Sequence, residues 1–148
     1  MNKKILIIGT CILLLLINVV SAIDVNNCSS LALSNSVYNL TQSLTNSTYC
    51  INITGANTTF DCLGLYSITG NDTNRSKGIY STGFNVTIQN CTVSGFGNAI
   101  QATNRTQIYN NNLTTMSTTI SNYGNGIYLT TTAENCTLTN NVINASRC

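Results

Sequence analysis

The reactive side chains of this chain are few, and they limit its chemistry before any fold is considered. There is no histidine, which excludes Ser-His-Asp and Cys-His pairs and imidazole ligands for zinc or copper. Glycoside hydrolysis needs paired carboxylates, and a calcium site needs a cluster of them. The acidic residues are Asp24, Asp61, Asp72 and Glu134. No two of them share a position in the repeated pattern described below, so the sequence predicts no catalytic residue, no metal site and no cofactor.

Cysteine is the other reactive side chain. Beyond residue 22 the chain carries Cys28, Cys50, Cys62, Cys91, Cys136 and Cys148. An even number of cysteines in an exported chain is typical of disulfides. A metal site is the alternative, but the spacing contains no C-x-x-C pair. Six cysteines allow many pairings, so their number alone does not fix the partners.

The N-terminus indicates export. Lys3 and Lys4 precede an apolar run over Ile5–Val20, and Val20-Ser21-Ala22 offers small residues to a signal peptidase. We interpret residues 1–22 as a signal peptide, with a retained N-terminal anchor as the alternative. The remaining chain has four cations and four carboxylates, and therefore no basic patch for nucleic acid. We expect a secreted or cell-surface protein with no membrane span in its mature part.

A repeated apolar pattern positions these residues. Four segments carry two apolar residues five positions apart: Phe60 and Leu65, Ile88 and Val93, Ile108 and Leu113, and Leu138 and Ile143. Before each pair, apolar and polar residues alternate, as is typical of a β-strand. One such segment cannot bury its apolar side chains alone, so the segments must stack. We predict an interior column of Phe60, Ile88, Ile108 and Leu138, with the varying period absorbed in loops at 70–77 and 115–125.

Asparagine recurs in phase with this pattern. Two positions beyond Ile88, Ile108 and Leu138 stand Asn90, Asn110 and Asn140, and the next position holds Asn111 and Asn141 in the last two segments. Asparagine tolerates the left-handed backbone of a sharp bend, and stacked amides can bond in a ladder. We expect an asparagine ladder at this bend. Coincidence is the alternative, because 24 of 148 residues are asparagine.

The runs Asn57–Cys62, Gly78–Tyr80 with Asn85–Cys91, and Leu138–Ile143 resemble the repeats of pectin-lyase-like proteins. They are most similar to the Cys- and Asn-rich forms of exported prokaryotic, particularly archaeal, surface proteins. Over about residues 50–148 the resemblance implies an all-β, right-handed parallel β-helix of about four turns. Residues 23–49 lack the repeat and are predicted as an N-terminal cap. We expect the repeats to continue in a longer protein, or a partner to cover the last turn.

The phase of the repeat also predicts disulfide partners. Cys62 and Cys91 lie two and three positions beyond Phe60 and Ile88, and so at nearly equivalent points of adjacent turns. Adjacent strands lie about 4.8 Å apart, which suits a disulfide. We predict Cys62–Cys91, then Cys28–Cys50 joining the cap to the first turn, and Cys136–Cys148 by elimination.

Tyrosine supplies the best candidate for ligand contact. Tyr80, Tyr109 and Tyr128 each follow an isoleucine predicted to point inward, so their rings should face outward. Aromatic rings beside polar side chains can hold sugars, although tyrosine is also an ordinary exposed strand former. Thirteen N-x-S/T sequons fit either a glycoprotein or the alternation of bend Asn with strand Thr.

The function predicted from the sequence is that of an exported, non-catalytic surface protein that contacts glycans or neighbouring surface proteins. Its oligomeric state is left open. The alternative is the N-terminal part of a polysaccharide lyase or hydrolase whose catalytic turns lie beyond residue 148. The resemblance itself implies no particular activity, because one fold hosts many functions.

Overall fold

The computed structural model describes residues 21–117 and 124–147. The predicted signal peptide therefore lies, apart from residues 21 and 22, outside the described residues. The described residues form fourteen strands: β1 (Ile23–Val25), β2 (Ser29–Leu31), β3 (Val37–Leu40), β4 (Leu44–Thr45), β5 (Tyr49–Ile53), β6 (Thr59–Asp61), β7 (Ser67–Ser81), β8 (Thr87–Gln89), β9 (Thr92–Ala102), β10 (Gln107–Tyr109), β11 (Asn112–Ser117), β12 (Asn125–Leu129), β13 (Thr137–Thr139) and β14 (Val142–Arg147).

These strands form two parallel sheets. The first has the order β1-β3-β6-β8-β10-β13, and the second runs β14-β11-β9-β7-β5-β2, with β4 paired to β7 and β12 paired to β9. Strand order within each sheet follows chain order, because the chain returns repeatedly from one sheet to the other. The prediction of an all-β fold with parallel strands is confirmed.

The interior column predicted in the first sheet is present. Ile88 pairs with Phe60 on one side and with Ile108 on the other, and Leu138 follows Ile108 in the same register. Phe60, Ile88 and Ile108 are fully buried, whereas Leu138 on the last strand of the sheet is 48% exposed. Tyr38 extends the column before Phe60.

For one member of the predicted pairs, Leu65, the predicted inward orientation is wrong. Leu65 does not point inward but is 75% exposed. Its place is taken by Ile68, which is fully buried and pairs with Val93 in the second sheet. The chain inserts a turn over residues 63–65 that contains left-handed Leu63 and Gly64, so the interval from Phe60 to the next inward residue is longer than in the other segments.

Two boundaries also differ from the sequence prediction. Residues 23–49, predicted as a cap without the repeat, contribute β1–β4 to the same two sheets. Tyr38, Leu44 and Leu31 stand in register with Phe60, Ile68 and Ile53. Residues 70–77, predicted as a loop, belong to β7 with register shifts against β9. Part of the second predicted loop, residues 118–123, lies outside the described residues.

A second set of interior isoleucines lies on the second sheet. Ile79 pairs with Ile51 and Ile100, and Ile127 follows Ile100. The first three are fully buried. Each repeat thus buries apolar side chains from both sheets against the neighbouring repeats, which is where the apolar stabilisation of the fold arises.

The disulfides join adjacent repeats, at or beside the ends of strands. Cys28 is bonded to Cys50 with an S–S distance of 2.07 Å, and Cys62 is bonded to Cys91 at 2.05 Å. The Cα atoms of the second pair are 4.8 Å apart, the separation of paired strands. Both pairs agree with the prediction from the repeat. Cys136 is a free thiol among the described residues, and its predicted partner Cys148 lies outside them.

The irregular part of β7 meets β9 at a close approach of two backbones. A Cβ atom on Gly95 would lie 2.6 Å from the carbonyl oxygen of Gly70, and Gly95 has a φ of +69°. We expect Gly95→Ala to lower the free energy of unfolding by about 2 kcal/mol or more, from strain and clash together. Urea denaturation measures this change.

Gly64→Ala is the matched control. Gly64 has a similar φ of +67°, but a Cβ atom added to it would have no heavy atom within 4 Å. Its cost should therefore be that of the left-handed backbone alone, about 1 kcal/mol. Equal costs for the two substitutions would contradict the close approach of Gly70 and Gly95.

Candidate functional site

The predicted asparagines lie at one bend of the repeat, and they have two different structural roles there. Asn90, Asn110 and Asn140 have left-handed backbones, with φ of 55°, 56° and 53°. Asn111 and Asn141, one residue later, provide the amide ladder. Asn141 Oδ1 accepts bonds from the backbone N–H and from Nδ2 of Asn111, at 3.0 and 2.9 Å.

This ladder stacks on Cys91, one of the two cysteines of the second disulfide. Asn111 Oδ1 accepts a hydrogen bond from the backbone N–H of Cys91 at 2.9 Å. Asn141 Nδ2 donates to the carbonyl oxygen of Ile108 at 2.8 Å. Asn111 is only 2% exposed, and buried amides are stable only when they are hydrogen-bonded. Its amide therefore stabilises the stack and is not free to bind a ligand.

A second asparagine ladder was missed by the sequence analysis. Asn57 Nδ2 donates to Asn35 Oδ1 at 3.0 Å, and Asn85 Nδ2 donates to Asn57 Oδ1 at 2.9 Å. All three residues have left-handed backbones. Each stands three positions before an inward residue of the first sheet, and this constant offset is the signal that could have identified the ladder.

A pocket on the second sheet has a different character. Tyr49, Asn52, Lys77 and Tyr80 line a shallow open pocket of about 330 Å³. Strand pairing positions all four, because Tyr49 is in register with Lys77, and Asn52 with Tyr80, on adjacent strands β5 and β7. We call these four residues the tyrosine pocket.

Lys77 contacts both aromatic rings of the tyrosine pocket. Its Nζ lies 4.2 Å from the ring centroid of Tyr80 and 5.1 Å from that of Tyr49, which is the range of cation–π contacts. Desolvation by burial lowers the pKa of Lys77. Among the described side chains, whose carboxylates are Asp24, Asp61 and Glu134, no ion pair with Lys77 is present.

Asn52 adds an unsatisfied hydrogen-bond acceptor. Its Oδ1 is buried and has no hydrogen-bond partner. Such atoms are rare in folded proteins, because burying an acceptor without a donor costs about 1–3 kcal/mol. The tyrosine pocket thus combines two aromatic rings, an ammonium donor and the side chain of Asn52, whose Oδ1 is enclosed by the protein.

The three tyrosines predicted for ligand contact do not all lie together. Tyr80 lines the tyrosine pocket. Tyr80 and Tyr128 both pair with Gln101, one from each side. The two tyrosines are therefore two strand spacings, or about 9.6 Å, apart. Tyr109 is on β10 of the other sheet, so it does not contribute to this surface. Tyr49 and Asn52 were not predicted, and Lys77 fits the sequence only as part of a charged loop with Asp72 and Arg75 that could bind a small acidic sugar but is more simply explained as solvated.

One carboxylate of the chain, Asp61, has a role in the local structure. Asp61 accepts hydrogen bonds from the side chains of Gln89 and Asn90 and from the backbone N–H of Leu63, so it holds a bend. Across residues 21–117 and 124–147, no group of three or more Cys, Asp or Glu residues is placed to hold a metal ion. Over the same residues, no helix has the length and apolarity to cross a membrane.

Comparisons of the chain with protein family models, with curated proteins and with solved structures give no match. The function must therefore be argued from the tyrosine pocket and its surroundings.

Proposed function

We propose that the two sheets are faces of a right-handed parallel β-helix of the pectin-lyase-like type. Strand order follows chain order in both sheets, and every strand pair is parallel. Connections between parallel strands of one sheet are right-handed in nearly all proteins. The inward columns on the two sheets give the stacked interior that such a fold needs.

We further propose that the protein is exported and acts in the secreted or cell-surface environment. The disulfides Cys28–Cys50 and Cys62–Cys91 support this, because disulfides persist in oxidising compartments. The N-terminal pattern of Lys3 and Lys4 before an apolar run also supports it.

On this basis we propose a non-catalytic role in contacting glycans. The observation that carries the proposal is the tyrosine pocket, in which two aromatic rings, an ammonium donor and the side chain of Asn52 line one open cavity. A sugar presents an apolar ring face to an aromatic side chain, while its hydroxyls donate and accept hydrogen bonds.

A glycan array with the purified full chain tests this proposal, followed by titration of the bound glycans against Tyr80→Ala. We expect the variant to bind about tenfold more weakly or worse, because it loses a ring face from the pocket. Tyr109→Ala is the matched control, since Tyr109 lies on the other sheet and should leave the dissociation constant unchanged.

Two outcomes would contradict glycan contact at the tyrosine pocket. One is an array on which no glycan is bound above background. The other is a loss of binding that is equal for Tyr80→Ala and Tyr109→Ala, which would point to a general effect on folding. Circular dichroism of both variants separates that effect from a local one.

A further inference from the structure

We infer that the ligand of the tyrosine pocket is an acidic saccharide, with its carboxylate or sulfate group bound to Lys77. This inference rests on the glycan contact proposed above and names its chemical class. It follows from the surroundings of Lys77 and from the residues that line the pocket.

The first observation is the state of the Lys77 ammonium. It lies against the rings of Tyr80 and Tyr49, and ring faces attract a cation without neutralising it. No carboxylate among the described side chains forms an ion pair with Lys77. A ligand anion would supply the negative charge that the described side chains do not.

The second observation is the partial removal of this charge from water. Desolvation by burial lowers the pKa of Lys77, because a buried ammonium is less well solvated than an exposed one. Hydrogen bonds between charged groups are stronger when water is excluded. An anionic group bound here therefore gains more than it would at a fully exposed lysine.

The third observation is the rest of the pocket lining. Beside Lys77, the pocket is lined by the rings of Tyr49 and Tyr80 and by the side chain of Asn52. An aromatic ring suits the apolar face of a sugar, and an amide side chain can pair with its hydroxyls. A ligand that combines a ring face, hydroxyls and an anion therefore matches this lining better than a simple anion does.

The surface beyond the pocket favours more than one sugar unit. Gln101 and Tyr128 follow Tyr80 in register across β9 and β12. Tyr128 is about 9.6 Å from Tyr80 by strand spacing, which is close to the length of a disaccharide. A bound chain would run across the strands, from Lys77 towards Tyr128.

Matched oligosaccharides test the inference. Tetrasaccharides of one backbone, for example β-1,4-linked glucose, are prepared in neutral, C6-carboxylated and sulfated forms, together with the same three forms of each backbone that the array identifies. We expect acidic forms to bind at least tenfold more tightly than neutral ones, as one charge-assisted hydrogen bond provides. Binding of the acidic forms should weaken as ionic strength rises.

Variants at Lys77 complete the test. Lys77→Gln should abolish the preference for acidic forms, whereas Lys77→Arg should retain it because the charge remains. Arg105→Gln is the control, since Arg105 also lies over an aromatic ring, that of Phe84 at 5.2 Å, but outside the pocket. It should leave both affinity and preference unchanged.

The possible results distinguish failure of the acidic class from failure of glycan contact itself. If neutral and acidic forms bind equally and Tyr80→Ala weakens both, glycan contact stands and the acidic class is wrong. If Lys77→Gln keeps the preference for acidic forms, the assignment of Lys77 is wrong. If no form of any backbone binds, the proposed function and this inference both fail. Preference for only the carboxylated or only the sulfated form identifies the anion.

Discussion

Replacing Ile68 with alanine should lower the free energy of unfolding by about 2–5 kcal/mol. Ile68 is fully buried on β7 and lies between Leu44 and Val93 in the second sheet. Alanine would leave a cavity that neither neighbour can fill without moving its own strand, because both are fixed by backbone pairing. Chemical denaturation followed by circular dichroism measures the loss.

Leu65→Ala provides the matched control in the same segment. Leu65 fits the repeated apolar spacing of the sequence, yet it is 75% exposed. Its replacement should change the free energy of unfolding by no more than about 0.5 kcal/mol. The opposite result, a large cost at Leu65 and a small one at Ile68, would show that the register of β7 is wrong.

The second large effect is expected from the disulfide within the stack. The double variant Cys62→Ala and Cys91→Ala should lose about 2–4 kcal/mol of stability. The bond closes a loop with a sequence separation of 29 residues, and both cysteines are buried. Its removal raises the conformational entropy of the unfolded chain and leaves a cavity where the two sulfur atoms were packed. Urea midpoints of the variant and the parent protein provide the measurement.

Cys136→Ala is the control for this prediction. Cys136 has no disulfide partner among the described residues, and its Sγ donates weak hydrogen bonds to the carbonyl oxygens of Thr103 and Glu134. Its substitution should shift the urea midpoint little. Stability that is unchanged by loss of Cys62 and Cys91 would show that the stack does not depend on their bond.

The sequence was sufficient to predict the interior of the first sheet. Phe60, Ile88, Ile108 and Leu138 recur with enough regularity that their alignment required only the assumption of stacking. The pairs Cys62–Cys91 and Cys28–Cys50 followed from the same assumption. A repeat is informative in this way because strands in register force equivalent residues into one environment.

The errors arose where the spacing alone was ambiguous. Leu65 satisfies the five-residue interval by its position, but left-handed Leu63 and Gly64 turn the chain before it. Nothing in the apolar pattern distinguishes Leu65 from Ile68. Residues 23–49 were separated from the repeat because they lack its apolar spacing, although Tyr38 stands in register with Phe60.

The candidate site could be predicted only in part. Outward alternation identified Tyr80 and Tyr128 as candidates for one surface. The partners Tyr49, Asn52 and Lys77 depend on which residues of β5 and β7 face each other. That register is a tertiary property, and the irregular middle of β7 hides it from a count of residues along the chain.

The turn at Leu63–Leu65 has a consequence for how such a protein can evolve. Successive inward residues from Tyr38 to Leu138 are separated by 22, 28, 20 and 30 positions, yet they remain aligned. Length differences are therefore taken up partly at a corner between the sheets, as at residues 63–65, and partly by the register shifts within β7. New segments can be acquired at a corner and shaped by selection while the strands on either side keep their neighbours.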